Sequence, residues 1–216
     1  MSNIITTYDD DVLIKEHGYD DHFHDHHHGD KYQSGFISHY IFSMDHKIIA
    51  RQFLITGIIW AIIGAAMSVI FRLQLGFPEE SLAWLKPLLG KWIVIDSTGI
   101  GTLAPEFYYA LVTMHGTILV FFVLTAGLSG TFSNLLIPLQ LGARDMASPF
   151  LNLLSYWFFF LAGIVMFYSL FISTGPFSGG WTAYPPLSAL PQASTGSQTG
   201  MTLWLVSLTL FVVSVL

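Results

Sequence analysis

The chain contains no cysteine and little charge, and both absences narrow what it can be. Among its 216 residues, Asp, Glu, Lys and Arg make up only 10%, whereas 53% are hydrophobic. The lack of cysteine excludes disulfide bonds, thiolate zinc sites and iron–sulfur clusters ligated by this chain. The scarcity of charge, together with a mean hydropathy of +0.59, excludes an ordinary soluble domain.

The few charged residues are also unevenly distributed. The last one is Asp145, and the 71 residues after it, Met146 to Leu216, contain none. An uncharged stretch of this length is typical of membrane-embedded protein. The first 45 residues lack the basic start and apolar core of a secretory signal. We therefore expect an all-α polytopic membrane protein that contacts the lipid bilayer and has no nucleic-acid partner.

The first 35 residues form a polar, His- and Asp-rich tail. Its centre, DDHFHDHHHGD (residues 20–30), alternates acids with imidazoles and has no apolar period. This composition predicts a disordered tail. Its histidines could bind copper or zinc adventitiously, although a solvated tail is the simpler interpretation.

Apolar runs in residues 36–216 predict one transmembrane domain with three complete helices and the start of a fourth. A helix of about 20 residues covers the roughly 30 Å of the hydrocarbon core. The predicted spans cover residues 53–71, 107–137, 151–172 and 201–216. The fourth run rises only about 24 Å, so we expect the chain to be the N-terminal part of a longer protein. A small excess of Lys and Arg on the N-terminal side favours a cytoplasmic N-terminus.

One histidine, His115, lies inside the second predicted span, in LVTMHGTILVFF (residues 111–122). A neutral imidazole has a lone pair on one nitrogen and a proton on the other, and inside a bilayer both need partners. Three roles remain open from the residues alone: an axial ligand to a haem iron, a member of a proton relay, or a structural histidine bonded to a neighbouring helix. Gly116 beside it would let a flat macrocycle approach the helix.

A second group of residues shares one face of the first predicted helix. Gly64, Ser68 and Arg72 recur every four residues and so lie above one another. The Arg72 guanidinium could donate hydrogen bonds to a carbonyl or carboxylate of a bound cofactor. It could equally extend to the membrane interface without a ligand.

A third group surrounds Asp145, in the turn between the second and third predicted spans. Asn134 lies eleven residues before it and Asn152 seven after it. A carboxylate at the cytoplasmic end of the helices, with amides leading inward, could collect protons and order a file of water. Alternatively, Asp145 pairs with Arg144 or caps the following helix.

A fourth motif, GGWTAYPPLS (residues 179–188), predicts a rigid turn because it pairs glycines and prolines. Trp181 and Tyr184 in this turn are placed where interfacial aromatic residues usually lie.

Taken together, these stretches resemble subunit I of the haem–copper oxidases, the terminal oxidases of respiration. Five motifs follow the order and spacing of that family: SMDHKIIAR, FRLQLGFP, TMHGTILVFF, PLQLGARDMASPFLNLLSYW and GGWTAYPPLS. The similarity covers about residues 36–216, and the Asp145 turn points to the A-type branch. The resemblance implies part of a twelve-helix bundle in the catalytic subunit of an enzyme that reduces dioxygen to water and pumps protons.

The resemblance also implies cofactor roles for single residues. His115 matches an axial ligand of the low-spin haem. Arg72 matches an arginine that hydrogen-bonds the formyl group of haem a, and Ser68 lies on the same face. Trp181 matches a tryptophan near a propionate of the high-spin haem. His46, in the motif at the membrane edge, is not carried over as a ligand.

The proton-pathway residues are implied in the same way, because Asp145, Asn134 and Asn152 match the entrance of the D proton pathway. The ligands of the high-spin haem and of copper B lie beyond the equivalent of Leu216. The implied partners are the rest of subunit I, subunits II and III, and cytochrome c or another electron donor, in a bacterial-type inner (plasma) membrane. Two rival interpretations are a non-haem transporter or scaffold and a protein that only anchors a soluble cytochrome.

Overall fold

Four long helices make up most of the computed structural model, which describes residues 40–78, 80–190 and 198–215. The residues from Phe42 onward form one compact unit. The long helices are α1 (His46–Gly76), α2 (Pro105–Leu141), α3 (Pro149–Ser169) and α4 (Gln198–Val215). Each is long and apolar enough to cross a membrane. The predicted all-α polytopic architecture is therefore confirmed, whereas the predicted disordered tail lies outside the described residues.

The helix ends differ from the predicted spans, and at two of these ends a capping residue sets the boundary. Asp45 caps α1, since its carboxylate accepts a hydrogen bond from the backbone N–H of Lys47 at 2.8 Å, and α1 therefore begins well before residue 53. Gly142 ends α2 in the left-handed conformation, at φ 66°. Asn134 and Pro138 lie inside that helix, which therefore extends past the predicted end at residue 137.

The middle of α2 is wound more widely than its two ends. Residues Ile118–Leu128 are π-helical, between α-helical segments Pro105–Thr117 and Ser129–Leu141. The Thr125 hydroxyl donates to the carbonyl of Val120, five residues earlier, at 2.7 Å. Such segments are rare and often occur at functional sites. This one separates the half of α2 that carries His115 from the half that carries Asn134.

Two glycines bring the backbones of α1 and α2 into direct contact. A Cβ atom built at Gly57 would lie 2.9 Å from the Cα atom of Gly127, and the reverse distance is the same. Small residues at a crossing point let membrane helices approach closely. On α3, Gly163 similarly leaves space for the indole of Trp60. A Cβ atom built at Gly163 would lie 2.9 Å from that indole.

Aromatic side chains from all four helices fill the core. The Phe122 ring of α2 lies 5.2 Å from Trp60 of α1 and 5.8 Å from both Phe159 of α3 and Phe211 of α4. These distances are typical of favourable aromatic pairs. The outward side of α1, in contrast, exposes a row of large aliphatic side chains: Ile55, Ile58, Ile59 and Ile62. An exposed apolar face of this kind suits a lipid environment.

The connection between α1 and α2 is folded rather than irregular. It contains one α-helical turn (Lys86–Leu89) between two 3₁₀ turns (Ala83–Leu85 and Gly90–Trp92). A two-stranded antiparallel hairpin follows, β1 (Ile93–Ile95) with β2 (Gly101–Leu103). The side chain of Gln74 accepts a hydrogen bond from the backbone N–H of Leu103 at 2.8 Å. This bond fixes the hairpin to the end of α1.

Candidate functional site

His115 lies on α2, about 15 Å along the helix axis from its first residue. Its side chain is half-buried, and its Nδ1 atom lies 2.8 Å from the carbonyl oxygen of Gly64 on α1. A carbonyl oxygen can only accept, so Nδ1 carries the proton and donates it. The lone pair therefore resides on Nε2, for which the described residues provide no hydrogen-bond partner.

The orientation of the His115 ring is fixed by its neighbours. Gly64 permits the close approach of the two helices, because a Cβ atom there would lie 2.8 Å from a methyl carbon of Leu119. The Phe71 ring meets the imidazole edge to face, with centroids 5.4 Å apart. A histidine that donates one ring nitrogen to a carbonyl and keeps the other available has the arrangement usual for a metal ligand. A purely structural histidine would need partners for both nitrogens.

Arg72 and Ser68 lie on the same side of α1 as Gly64, whose carbonyl oxygen accepts the hydrogen bond from His115. Ser68 is half-buried and Arg72 is exposed. Within the described part of the chain, Arg72 forms no ion pair with an acidic side chain. Its guanidinium therefore keeps its donors available for a bound group.

The turn that contains Trp181 is attached to α2 beside His115. The backbone N–H of Gly180 donates to the hydroxyl of Thr113 at 3.0 Å. A Cβ atom at Gly116 would lie 3.1 Å from the Trp181 indole. The expectation that Gly116 leaves room for a macrocycle is therefore corrected: the indole of Trp181 covers this glycine. The structure does bring Trp181 next to the helix that carries His115.

At the other end of the helices, Asp145 pairs with a histidine rather than with either predicted partner. Its Oδ1 atom lies 3.1 Å from Nδ1 of His46 and also accepts from the backbone N–H of Met146 at 2.8 Å. No ion pair with Arg144 forms in the described region, and the residue that precedes α3 is Ser148. Both alternatives considered from the sequence, pairing with Arg144 and capping α3, are therefore wrong.

The pair formed by His46 and Asp145 joins a buried group to an exposed one. The side chain of His46 is 7% exposed, whereas that of Asp145 is 46% exposed. Because an ionised carboxylate only accepts, Nδ1 of His46 is the donor. The two residues are 99 positions apart, so no local pattern in the sequence indicates that His46 contacts Asp145. Only its position directly after the helix cap Asp45 set it apart.

The two predicted asparagines bond to each other. The amide nitrogen of Asn152 donates to the side-chain oxygen of Asn134 at 2.5 Å, and Asn134 donates to the carbonyl of Gly130 at 2.8 Å. Asn134 is buried, on α2, and Asn152 lies on α3. The structure thus joins the two amides that the spacing predicted to work together.

These amides line a polar cavity of about 280 Å³ between all four helices. Met146, next to Asp145, also lines it. Its hydroxyl-bearing lining residues are Thr125, Ser129, Ser133, Ser155 and Ser214. A cavity of this size and polarity can hold hydrogen-bonded water.

Residues 48–216 match the protein family described as Cytochrome C and Quinol oxidase polypeptide I. The chain belongs to this family. It is 40% identical over 174 residues to "Alternative cytochrome c oxidase subunit 1" of Bradyrhizobium diazoefficiens. The aligned region covers 81% of the chain and 26% of that protein. It is 38% identical over 167 residues to "Ubiquinol oxidase subunit 1" of Acetobacter aceti, covering 77% of the chain and 22% of the relative.

A relative with a fused name, "Heme-copper oxidase subunit I+III" of Aeropyrum pernix, is 34% identical over 153 residues, covering 71% of the chain and 16% of that protein. The chain therefore spans about a quarter, or less, of the length of these oxidase subunits.

The donors present in this oxidase polypeptide suit one axial haem ligand. No group of three or more His, Cys, Asp or Glu side chains in the described ranges could enclose a metal ion. A porphyrin supplies its own equatorial nitrogens, so a single oriented imidazole is the contribution that it requires from one helix. His115, with Nε2 available, meets that requirement.

Proposed function

We propose that this chain is part of the catalytic subunit of a respiratory terminal oxidase that reduces dioxygen to water. In it, the chain provides one axial ligand of the low-spin haem and the entrance of a proton pathway. The observation that carries the proposal is the hydrogen bond from Nδ1 of His115 to the carbonyl of Gly64, which leaves Nε2 oriented and without a hydrogen-bond partner among the described residues. Membership of the oxidase family and the motif order support it.

His115, Arg72, Ser68 and Trp181 would hold the haem groups. Bound there, a haem supplies one-electron transfer between the electron donor and the oxygen-reducing centre. His115 would coordinate iron through Nε2, because Gly64 holds its other nitrogen. Arg72 would donate to the formyl group of haem a, with Ser68 on the same helix face. Trp181, held against α2, would lie near a propionate of the high-spin haem.

Asp145 would take up protons from the cytoplasmic side. It is exposed and hydrogen-bonded to the nearly buried His46, so it joins bulk water to the interior of the helices. Asn134 and Asn152 line the polar cavity and would order water there for proton transfer. We propose that this route delivers protons for water formation and for pumping across the membrane.

The remaining machinery belongs to other parts of the complex. The high-spin haem, copper B and their ligands would be held by the rest of subunit I, with subunits II and III as partners. The electron donor would be cytochrome c or another reductant such as a quinol. We expect the complex in a bacterial-type inner membrane, with the N-terminus of this chain in the cytoplasm.

Oxygen consumption and proton pumping test the proposal in the purified complex reconstituted into vesicles. Replacing Asp145→Asn keeps the size of the side chain but removes its proton-binding carboxylate, so turnover should fall severalfold and fewer protons should be pumped per electron. Asp96→Asn, in the exposed hairpin turn on the opposite side, is the matched control and should behave as wild type. Unchanged turnover and proton-to-electron ratio in Asp145→Asn would overturn the proposed entrance.

A further inference from the structure

An apolar groove of about 540 Å³ lies at the hairpin end of the helices and belongs to neither proposed site. Its walls come from α1, α2 and the segment after α3, and the α-helical turn Lys86–Leu89 borders it. Representative lining residues are Ile63, Ala66, Ile70, Ala110, Met114 and Phe171. Leu88 and Phe171 on its rim are strongly exposed, at 77% and 70%. The groove is therefore open on the outer surface of the described helices.

The groove has the orientation and depth of an acyl-chain site. On α1 it extends from Ile63 to Ile70, and on α2 from Phe107 to Met114. Seven residues of helix rise about 10 Å, which is a third of a hydrocarbon core of about 30 Å. It thus matches the part of an acyl chain nearest to the headgroup.

A lysine and a tryptophan stand at the hairpin end of this groove. The Lys91 ammonium donates to the backbone carbonyl of Ser173 and lies 4.5 Å from the centre of the Trp92 ring. Trp92 in turn stacks on Phe107, with centroids 4.9 Å apart. An ammonium has three N–H donors, so two remain for an anionic ligand. Lysine and tryptophan are the residues typical of the lipid headgroup region.

A second pocket, of about 340 Å³, adjoins the groove and is more polar. The two share Lys91, Trp92, Ala110 and Pro176, and the second pocket adds Glu106. Lys91 and Glu106 form no ion pair with each other, since the ion pairs of the described ranges are those of His46. The second pocket therefore offers one cation and one anion that form no direct ion pair, which is the charge pattern complementary to a zwitterionic ligand.

We propose that the groove and the adjoining pocket form a binding site for one phospholipid with a primary-amine headgroup. One acyl chain lies in the groove, the phosphate binds the Lys91 ammonium, and the headgroup ammonium binds the Glu106 carboxylate. This site is independent of the haem and proton-pathway residues.

Native mass spectrometry of the complete complex tests this site. The complex is delipidated in mild detergent and then titrated with phosphatidylethanolamine, and in parallel with phosphatidylglycerol. Wild type should retain one phosphatidylethanolamine more tightly than any phosphatidylglycerol. Lys91→Gln removes the phosphate partner and should weaken binding about tenfold, equivalent to about 1.4 kcal/mol. Lys86→Gln, which removes a nearby lysine outside the groove, should leave binding unchanged.

A second pair of variants tests the acyl-chain groove. Ala66→Phe fills the groove from its exposed side and should abolish retention, whereas Val69→Phe, on an exposed position outside it, should not. Glu106→Gln should remove the preference for phosphatidylethanolamine over phosphatidylglycerol. The proposal is overturned if wild type retains no phospholipid, which would mean that protein covers the groove. It is also overturned if retention is the same in Lys91→Gln and Ala66→Phe as in wild type, which would indicate annular lipid only.

Discussion

At the scale of single residues, two histidines that donate through Nδ1 are central to the two candidate sites. His115 donates to the neutral carbonyl of Gly64 at 2.8 Å, whereas His46 donates to the carboxylate of Asp145 at 3.1 Å. A carbonyl holds the ring in one tautomer without taking up a proton itself, which suits a metal ligand. A carboxylate can exchange protons with water, which suits a proton entrance. The acceptor thus distinguishes the two roles.

Removing the imidazole partner of Asp145 should slow proton delivery and leave the haem region intact. In His46→Ala, the carboxylate loses its hydrogen bond from a nearly buried imidazole, so oxygen consumption should fall severalfold. The visible spectrum should not change, because His46 lies at the opposite end of the helices from the hairpin. Lys47→Ala, an exposed neighbour on the same turn, is the control. Wild-type turnover in His46→Ala would contradict a role for the pair.

The candidate residues could be predicted from the sequence only where their spacing carried information. The intervals of eleven and seven residues around Asp145 placed Asn134 and Asn152 on the two flanking helices, and the structure joins their amides. The acceptor of His115 is a backbone carbonyl 51 residues away, and the partner of Asp145 lies 99 residues away. Contacts between such distant parts of the chain arise from helix packing, which no local pattern specifies.

At the scale of helices, the close crossing of α1 and α2 determines where His115 meets Gly64. Gly57 and Gly127 touch backbone to backbone about two turns of α1 before that hydrogen bond. The apolar runs predicted the four helices, but capping residues set two of their ends. Nothing in the composition of Ile118–Leu128 predicted its π-helical winding, because such a segment reflects packing against neighbouring helices rather than the local sequence.

Adding a single methyl group at this crossing should destabilise the protein. In Gly57→Ala, the new Cβ atom would meet backbone atoms of Gly127 at 2.9 Å, and a backbone cannot rotate away as a side chain can. Overpacking of this kind costs about 1–3 kcal/mol. The apparent melting temperature of the purified complex should fall by several degrees. Gly76→Ala, where a Cβ atom meets nothing within 4 Å, should melt as wild type does, and equal melting of both variants would contradict the crossing.

At the scale of the whole molecule, the proposed proton entrance requires one particular orientation of the helices in the membrane. The α1–α2 hairpin lies at one end and the turn with Asp145 at the other, because α2 runs between them. The proposed proton entrance needs Asp145 on the cytoplasmic side.

The natural lack of cysteine makes this orientation measurable. Single cysteines introduced as Asp96→Cys in the hairpin and Arg144→Cys in the opposite turn provide unique thiols within this chain. An impermeant maleimide added to intact cells should label the first and should label the second only after the membrane is opened. The reverse labelling pattern would contradict a cytoplasmic entrance.

Above all, we propose that the imidazole of His115 holds a haem iron. A reduced-minus-oxidised visible spectrum of the purified complex, compared with its His115→Ala variant, tests it most directly, with His46→Ala as a control that removes a histidine elsewhere. Wild type and His46→Ala should both show a low-spin haem band, and this band should be lost in His115→Ala. A band of the same position and intensity in His115→Ala, or no haem band in wild type, would contradict it.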